Sequence, residues 1–178
     1  TYTVENRIGY ICLNRPEKRN ALNELLVEEL KQAFSFAAQD ESVNVIIFCA
    51  NAPAFSAGAD LAYLQSLQTN TFEENLADSN NLKALFQQIY TLKKVVIAQV
   101  EGHAIAGGCG LATVCDFCFA VPDALFGYTE VKIGCVPAIV MVFLIKKIGE
   151  AKARELLLTG KLLAATAAKE IGIINNVF

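Results

Sequence analysis

The chain has 178 residues, of which 54% are apolar and 19% charged, with a formal net charge of -3. That length suits one domain able to bury roughly 70% of its unfolded surface without metal or disulfide staples, and the composition excludes a disordered chain. The absence of a basic block argues against nucleic acid, and the longest apolar run, Ile133 to Ile145, carries Gly134, is broken by Pro137 and falls short of the ~20 residues of a membrane span.

In chain order, Tyr2 to Val4 and Ile8 to Leu13 read as two strands joined at Asn6-Arg7. A charged loop, Asn14 to Asn20, follows. Asn20 reads as the N-cap of a helix from Ala21 to Ala38, with Leu22, Leu25, Leu26, Leu30 and Phe34 along one face. Val43 to Ala50 is a continuous apolar run, as in a strand covered on both sides. Asn51 to Ala59 is a loop of small residues, with Asp60 placed to cap a helix that starts at Leu61.

Helical spacing returns over Thr71 to Leu92, and Val95 to Val100 is a second buried strand. Gly102 to Gly110 is glycine-rich, and Leu111 to Cys115 resumes a helical pattern. Phe117 to Ala120 and Ala124 to Phe126 read as short strands. Helices are predicted over Val140 to Ile148, Glu150 to Leu158 and Ala165 to Ile171, then a strand over Ile173 to Val177. Alternating strands and helices make the class α/β, and residues 1–178 are expected to form a single domain. The chain stops at Phe178 directly after an apolar strand, so a following segment is expected to be missing.

Cys12, Cys49, Cys115 and Cys118 sit among apolar residues, where cysteines behave as small buried hydrophobes. A reducing, cytoplasm-like compartment is therefore expected. Cys115-Asp116-Phe117-Cys118 has redox-motif spacing, but its setting argues against a low-pKa thiol. Cys109 lies near a helix start, where a thiol pKa can fall, yet no base accompanies it. His103 is the only histidine, so neither a His-rich metal site nor a serine triad can be built, and a structural role is expected for it and for Asp116.

Three segments carry chemistry. Phe55-Ser56-Ala57-Gly58-Ala59-Asp60 follows a buried strand, and its small residues let a ligand approach the backbone. Gly102-His103-Ala104-Ile105-Ala106-Gly107-Gly108-Cys109-Gly110 follows the next strand. It has neither the Walker lysine, nor dinucleotide-fingerprint spacing, nor a nucleophile-elbow serine. What remains is a row of backbone N–H groups at a helix start, suited to a developing oxyanion. In the third segment, Phe126 to Gly134, Glu130 precedes Val131, Ile133, Gly134, Cys135, Val136 and Pro137. A carboxylate in such surroundings has its pKa raised and becomes a better acid–base.

These three segments, in this order, resemble the crotonase family, also called the enoyl-CoA hydratase/isomerase family. Asn14-Arg15-Pro16-Glu17-Lys18-Arg19-Asn20-Ala21-Leu22-Asn23 is similar to its N-terminal signature, and the resemblance runs through Ile171-Gly172-Ile173-Ile174-Asn175. It implies a spiral of ββα units, a homotrimer or dimer of trimers, an acyl-CoA thioester substrate, and no cofactor beyond the coenzyme A of the substrate. On this resemblance the Ala59 and Gly107 N–H groups form an oxyanion hole and Glu130 is the catalytic acid–base. Lys18, Ala21, Ala57, Asp60, Leu61, Ile105, Gly108 and Thr129 fall at substrate- or CoA-contacting positions.

Two departures matter. Hydratases of the family commonly carry a second glutamate, which would fall at Gly110. Gly110, Thr129-Glu130 and Pro137-Ala138 together resemble 3-methylglutaconyl-CoA hydratases of leucine breakdown, and also dehydratases acting on 3-hydroxy-3-methylglutaryl groups. Their substrates are branched and carry a distal carboxylate, for which no basic partner is identifiable beyond Lys132, by nearness alone. The expected activity is hydration of a short 2,3-enoyl-CoA, branched or dicarboxylic. A Δ3-Δ2 isomerase and a non-catalytic CoA-binding subunit are the alternatives.

Overall fold

The computed structural model describes residues 1–51 and 53–178; Ala52, inside the predicted Asn51 to Ala59 loop, lies outside them. Asn6 and Arg7 both adopt positive φ, 50° and 66°, the two-residue turn whose hand matches strand twist. It joins β1 (Tyr2–Glu5) to β2 (Ile8–Leu13) as an antiparallel hairpin. Beyond β2 every neighbour in the first sheet is parallel: β3 (Val45–Ala50), β5 (Val95–Val100), β7 (Phe117–Ala120) and β10 (Asn176–Val177). The spatial order is β1-β2-β3-β5-β7-β10.

A smaller sheet holds β4 (Ala54–Ser56), β6 (His103–Ile105), β8 (Leu125–Gly127) and β9 (Leu163–Ala164), in that order. Three times a long strand of the first sheet turns into a short strand of the second and then into a helix. β3-β4 leads to α2 (Leu61–Ser66), β5-β6 to α4 (Gly107–Val114), and β7-β8 to a 3-10 turn at Glu130–Ile133. The molecule is thus the expected α/β spiral of ββα units. The other helices are α1 (Glu24–Gln39), α3 (Phe72–Tyr90), α5 (Ala138–Ile148), α6 (Glu150–Thr159) and α7 (Ala165–Glu170). Among the described residues no helix is long and apolar enough to cross a membrane.

Several local expectations are corrected. The first helix starts at Glu24 and its N-cap is Asn23, whose side chain accepts from Leu26 N at 3.0 Å. Asn20 is instead wholly buried at φ 53°. Its Nδ2 donates to Ala54 O, its Oδ1 accepts from Arg15 N, and its carbonyl accepts from Ser56 Oγ. These bonds fasten the N-terminal loop to β4, so Asn20 is committed before the helix begins. With that register Leu25 is 64% exposed, and the buried face is Leu26, Val27, Leu30, Phe34 and Ala37.

β3 and β5 are not covered on both sides: their burial alternates, with Ile46 and Phe48, then Val96, Ala98 and Val100, facing the core. Phe34 and Phe55 each meet the Phe48 ring edge-on, at 5.4 and 5.3 Å between centroids. The last strand shrinks to Asn176–Val177. Ile173 and Ile174 are buried in a turn after Gly172, and the Asn175 side chain replaces a ladder bond by accepting from Cys118 N at 2.8 Å.

Cys12 and Cys49 form a disulfide, against the expectation of buried free thiols. The register of β2 on β3 sets the two cysteines opposite one another with Cα atoms 4.5 Å apart. This pairing removes cysteine usage as a guide to compartment. Cys109, Cys115, Cys118 and Cys135 are free.

Candidate active site

Two strand-to-helix turns meet at one edge of the small sheet. In the first, Leu22 N donates to Gly58 O at 2.7 Å, and Asp60 N donates to Leu22 O at 2.8 Å. This parallel bridge uses the residues flanking Ala59, so the N–H of Ala59 itself faces the other way. Gly58 sits at φ +85°, and a Cβ there would lie 2.7 Å from Ala106 Cβ and 3.3 Å from Gly107 N. Only glycine satisfies both the backbone angle and that approach.

In the second turn Ala106 adopts φ 53°, ψ -126°, a region that residues with a Cβ seldom occupy. It is held there by its N–H bond to Gly127 O at 2.7 Å and by Gly110 N bonding back to its carbonyl. The next N–H, that of Gly107, is the first of helix α4 and has no acceptor within the helix. Among the described residues neither Ala59 N–H nor Gly107 N–H has a protein acceptor, and both border one cavity.

That cavity is about 590 Å³ and mostly apolar, walled by Leu22, Val27, Leu61, Leu64, Leu82, Ile133, Val136 and Ile139 among others. Glu130, the first residue of the 3-10 turn after β8, faces it. Its Oε2 is buried with no hydrogen-bond partner among the described residues, and desolvation raises the Glu130 carboxyl above its ordinary value. Two unused N–H donors and an unpaired carboxyl therefore share one apolar chamber. Such a set can polarise a carbonyl and move a proton beside it.

The remaining predicted residues divide. Ala57, Leu61 and Thr129 line the cavity. Asp60 is buried but occupied: its Oδ2 pairs with Arg15 at 2.7 Å and its Oδ1 caps α2 through Ala62 N. The Arg15 guanidinium holds the Asp60 carboxyl below its ordinary value. Arg15 Nη1 also donates to Ala21 O, so Arg15 and Ala21 belong to the same loop brace. Lys18 is exposed at the end of the 3-10 turn Pro16–Lys18. Ile105 and Gly108 lie off the cavity wall, and a Cβ on Gly108 would meet Ser56 O at 2.4 Å.

At Gly110 a Cβ would lie 2.4 Å from Val140 Cγ1 and 3.2 Å from the Phe86 ring. Val140 of α5 therefore fills the space a second glutamate would need. The cavity also contains residues that the sequence pattern did not single out. Tyr63 on α2 donates its hydroxyl to Asp78 on α3, and Ser79 lies beside them. Fifteen residues separate Tyr63 from Asp78, and no motif links them; only the packing of the two helices does.

The minor candidates take structural roles. Cys109 is wholly buried and its thiol is pushed up to about 12, the reverse of helix-start activation. Cys118 is likewise raised to about 12 by burial. Lys147 donates to Thr113 O and Cys115 O at 2.9 Å each. His103 Nδ1 accepts from Leu125 N at 3.2 Å, and the Asp116 carboxylate accepts from Val96 N at 2.8 Å.

The family model described as Enoyl-CoA hydratase/isomerase matches residues 3–178. A relative from Thermus thermophilus named "Putative enoyl-CoA hydratase" is 42% identical over 173 residues, covering 97% of this chain and 68% of the relative. A Dictyostelium discoideum protein named "Probable enoyl-CoA hydratase, mitochondrial" is 37% identical over 178 residues, covering 99% and 62%. The crystal structure of an enoyl-CoA hydratase from Shewanella pealeana superposes with a TM-score of 0.97 at 31% identity, covering 100% of this chain and 67% of that one. The chain thus spans between 62% and 68% of the length of these two curated relatives.

Proposed function

This chain belongs to the enoyl-CoA hydratase/isomerase family, and on that premise we propose that it is the core of a hydratase-type lyase. It adds water reversibly across the 2,3-double bond of a short, branched acyl-CoA thioester. The observation that carries this reading is Glu130, whose Oε2 is buried without a partner among the described residues, lining the same cavity as Ala59 and Gly107.

The chemistry follows from those groups. The thioester oxygen accepts from both N–H groups. Glu130 removes a proton from water as the water oxygen bonds to C3. The π electrons of C2–C3 shift toward the thioester, whose oxygen becomes an enolate stabilised by the two donors. The enolate then collapses and C2 takes the proton back from Glu130, so one water has been added and the carboxylate is restored. Loss of one such donor costs about 3–4 kcal/mol of transition-state stabilisation. One carboxylate above one face serves both transfers, which suits a site where Val140 fills the second position.

That same single carboxylate favours a second reading, Δ3-Δ2 isomerisation, in which a proton moves between carbons and no water is held. Assembly as a trimer or a dimer of trimers belongs to the proposal too, supported by the family resemblance.

The test follows loss of conjugated enoyl-thioester absorbance with crotonyl-CoA and 3-methylcrotonyl-CoA, using the complete gene product. Glu130→Gln is expected to lower the hydration rate by about 10²–10⁴-fold, as loss of a positioned acid–base does. A mutant as fast as the wild type refutes the assignment. A shifted double bond in place of a 3-hydroxyacyl product selects the isomerase.

A further inference from the structure

The polar groups on the cavity wall are one-sided in charge. Among the described residues lining it are two carboxylates, Glu130 and Asp78, and no lysine, arginine or histidine. Glu130 lies on the turn after β8, and Asp78 lies on α3, beside Tyr63 of α2. The Tyr63 proton is directed at Asp78, so the hydroxyl turns only lone pairs to the cavity. Burial and the neighbouring carboxylate raise the Tyr63 phenol, so it stays protonated and keeps this role. The Asp78–Tyr63 pair thus presents hydrogen-bond acceptors and negative charge within a mostly apolar wall.

A substrate is excluded as effectively by an unmatched charge as it is admitted by a fitting contact. We propose that Asp78, held by Tyr63, is a specificity-determining residue that rejects acyl groups with a distal carboxylate and reserves the chamber for uncharged acyl chains. The proposal rests on the acyl-thioester reading of this cavity. It departs from the branched dicarboxylic substrates of the subgroup that the sequence pattern resembles. An acyl carboxylate entering this chamber would lose water, meet two like charges and find no cationic partner on the described wall.

The test is made on binding, so that it does not depend on turnover. Dissociation constants of butyryl-CoA and glutaryl-CoA, both saturated and unreactive toward hydration, are measured by calorimetry on the complete protein. The wild type is expected to bind butyryl-CoA at least about tenfold more tightly, the discrimination an unpaired like charge supplies. Asp78→Asn narrows that ratio, Asp78→Glu keeps it, and Tyr63→Phe, which frees the carboxylate to move, changes it less than Asp78→Asn. Butyryl-CoA binding by each variant reports an intact site. Equal or tighter binding of glutaryl-CoA by the wild type, or a ratio unmoved in Asp78→Asn, overturns this proposal alone. Failure of the wild type to bind either ligand overturns it together with the acyl-thioester reading.

Discussion

Glu130 combines burial, no hydrogen-bond partner on one oxygen and a raised carboxyl. Both its rate and its stability consequences have a definite sign. On the proposed mechanism, proton abstraction from water needs the ionised form, so the hydration rate is expected to rise with pH along a limb displaced above the ordinary glutamate range. For stability, the folded state holds its proton to higher pH than the unfolded state, so stability falls as pH climbs from the unfolded to the folded value. Glu130→Gln, lacking the charge, is therefore expected to melt higher than the wild type above that window and level with it below. Paired pH–rate profiles and thermal melts check both statements. A limb at the ordinary glutamate position, or a mutant that melts no higher at neutral pH, refutes them. The sequence expectation that apolar neighbours shift this residue names Val131, Ile133, Gly134, Cys135, Val136 and Pro137. Of these, Val131, Ile133 and Val136 are exposed by a third or more. Ile133, Cys135, Val136 and Pro137 do line the same cavity as Glu130, but so do Leu22, Leu64 and Leu82 from distant elements, which no run of neighbours encodes.

At the scale of elements, the packing of α4 on α5 closes position 110 to any side chain. Gly110 on α4 would ordinarily favour replacement by alanine, which is better in a helix by about 1 kcal/mol. Here the added methyl meets Val140 Cγ1 at 2.4 Å and Val140 Cβ at 2.9 Å, so the sign reverses. Gly110→Ala is expected to destabilise the protein by about 1–3 kcal/mol through overpacking. Adding Val140→Gly relieves that contact, so the effects of the two substitutions do not sum. A denaturant double-mutant cycle measures this, and strict additivity would show that the helices do not meet as described. The same packing explains why a glycine at position 110 was visible in the sequence while its consequence was not. The family resemblance implies a missing glutamate, whereas only the helix pair shows that the space beside Gly110 is taken.

For the whole molecule, the β2–β3 register joins residues 37 positions apart, Cys12 and Cys49. Alkylation in denaturant without reductant is expected to label four of the six cysteines, and all six after reduction. Six labelled without reductant would refute the pairing. The spiral that creates this register also stacks the β3-β4 and β5-β6 corners, and so sets Gly58 against Ala106 and Gly107. The two N–H donors are 48 positions apart in the chain and meet only because successive units repeat the same turn.

The sequence by itself determined the α/β class, the strands at Ile8 to Leu13, Val95 to Val100 and Phe117 to Ala120, and the three segments on which the family resemblance puts Ala59, Gly107 and Glu130. Those features are written locally, in alternation, β-branching and runs of small residues, and local patterns survive folding. The tertiary structure alone decided the rest. It placed the helix start at Asn23 after claiming Asn20 for a buried brace, and it left β3 covered on one face. It joined Cys12 to Cys49, tied the Asp60 carboxylate to Arg15 and put Asp78 with Tyr63 into the chamber. Each of these depends on which distant atoms compete for a donor, an acceptor or a volume, and that competition is settled only when the units pack.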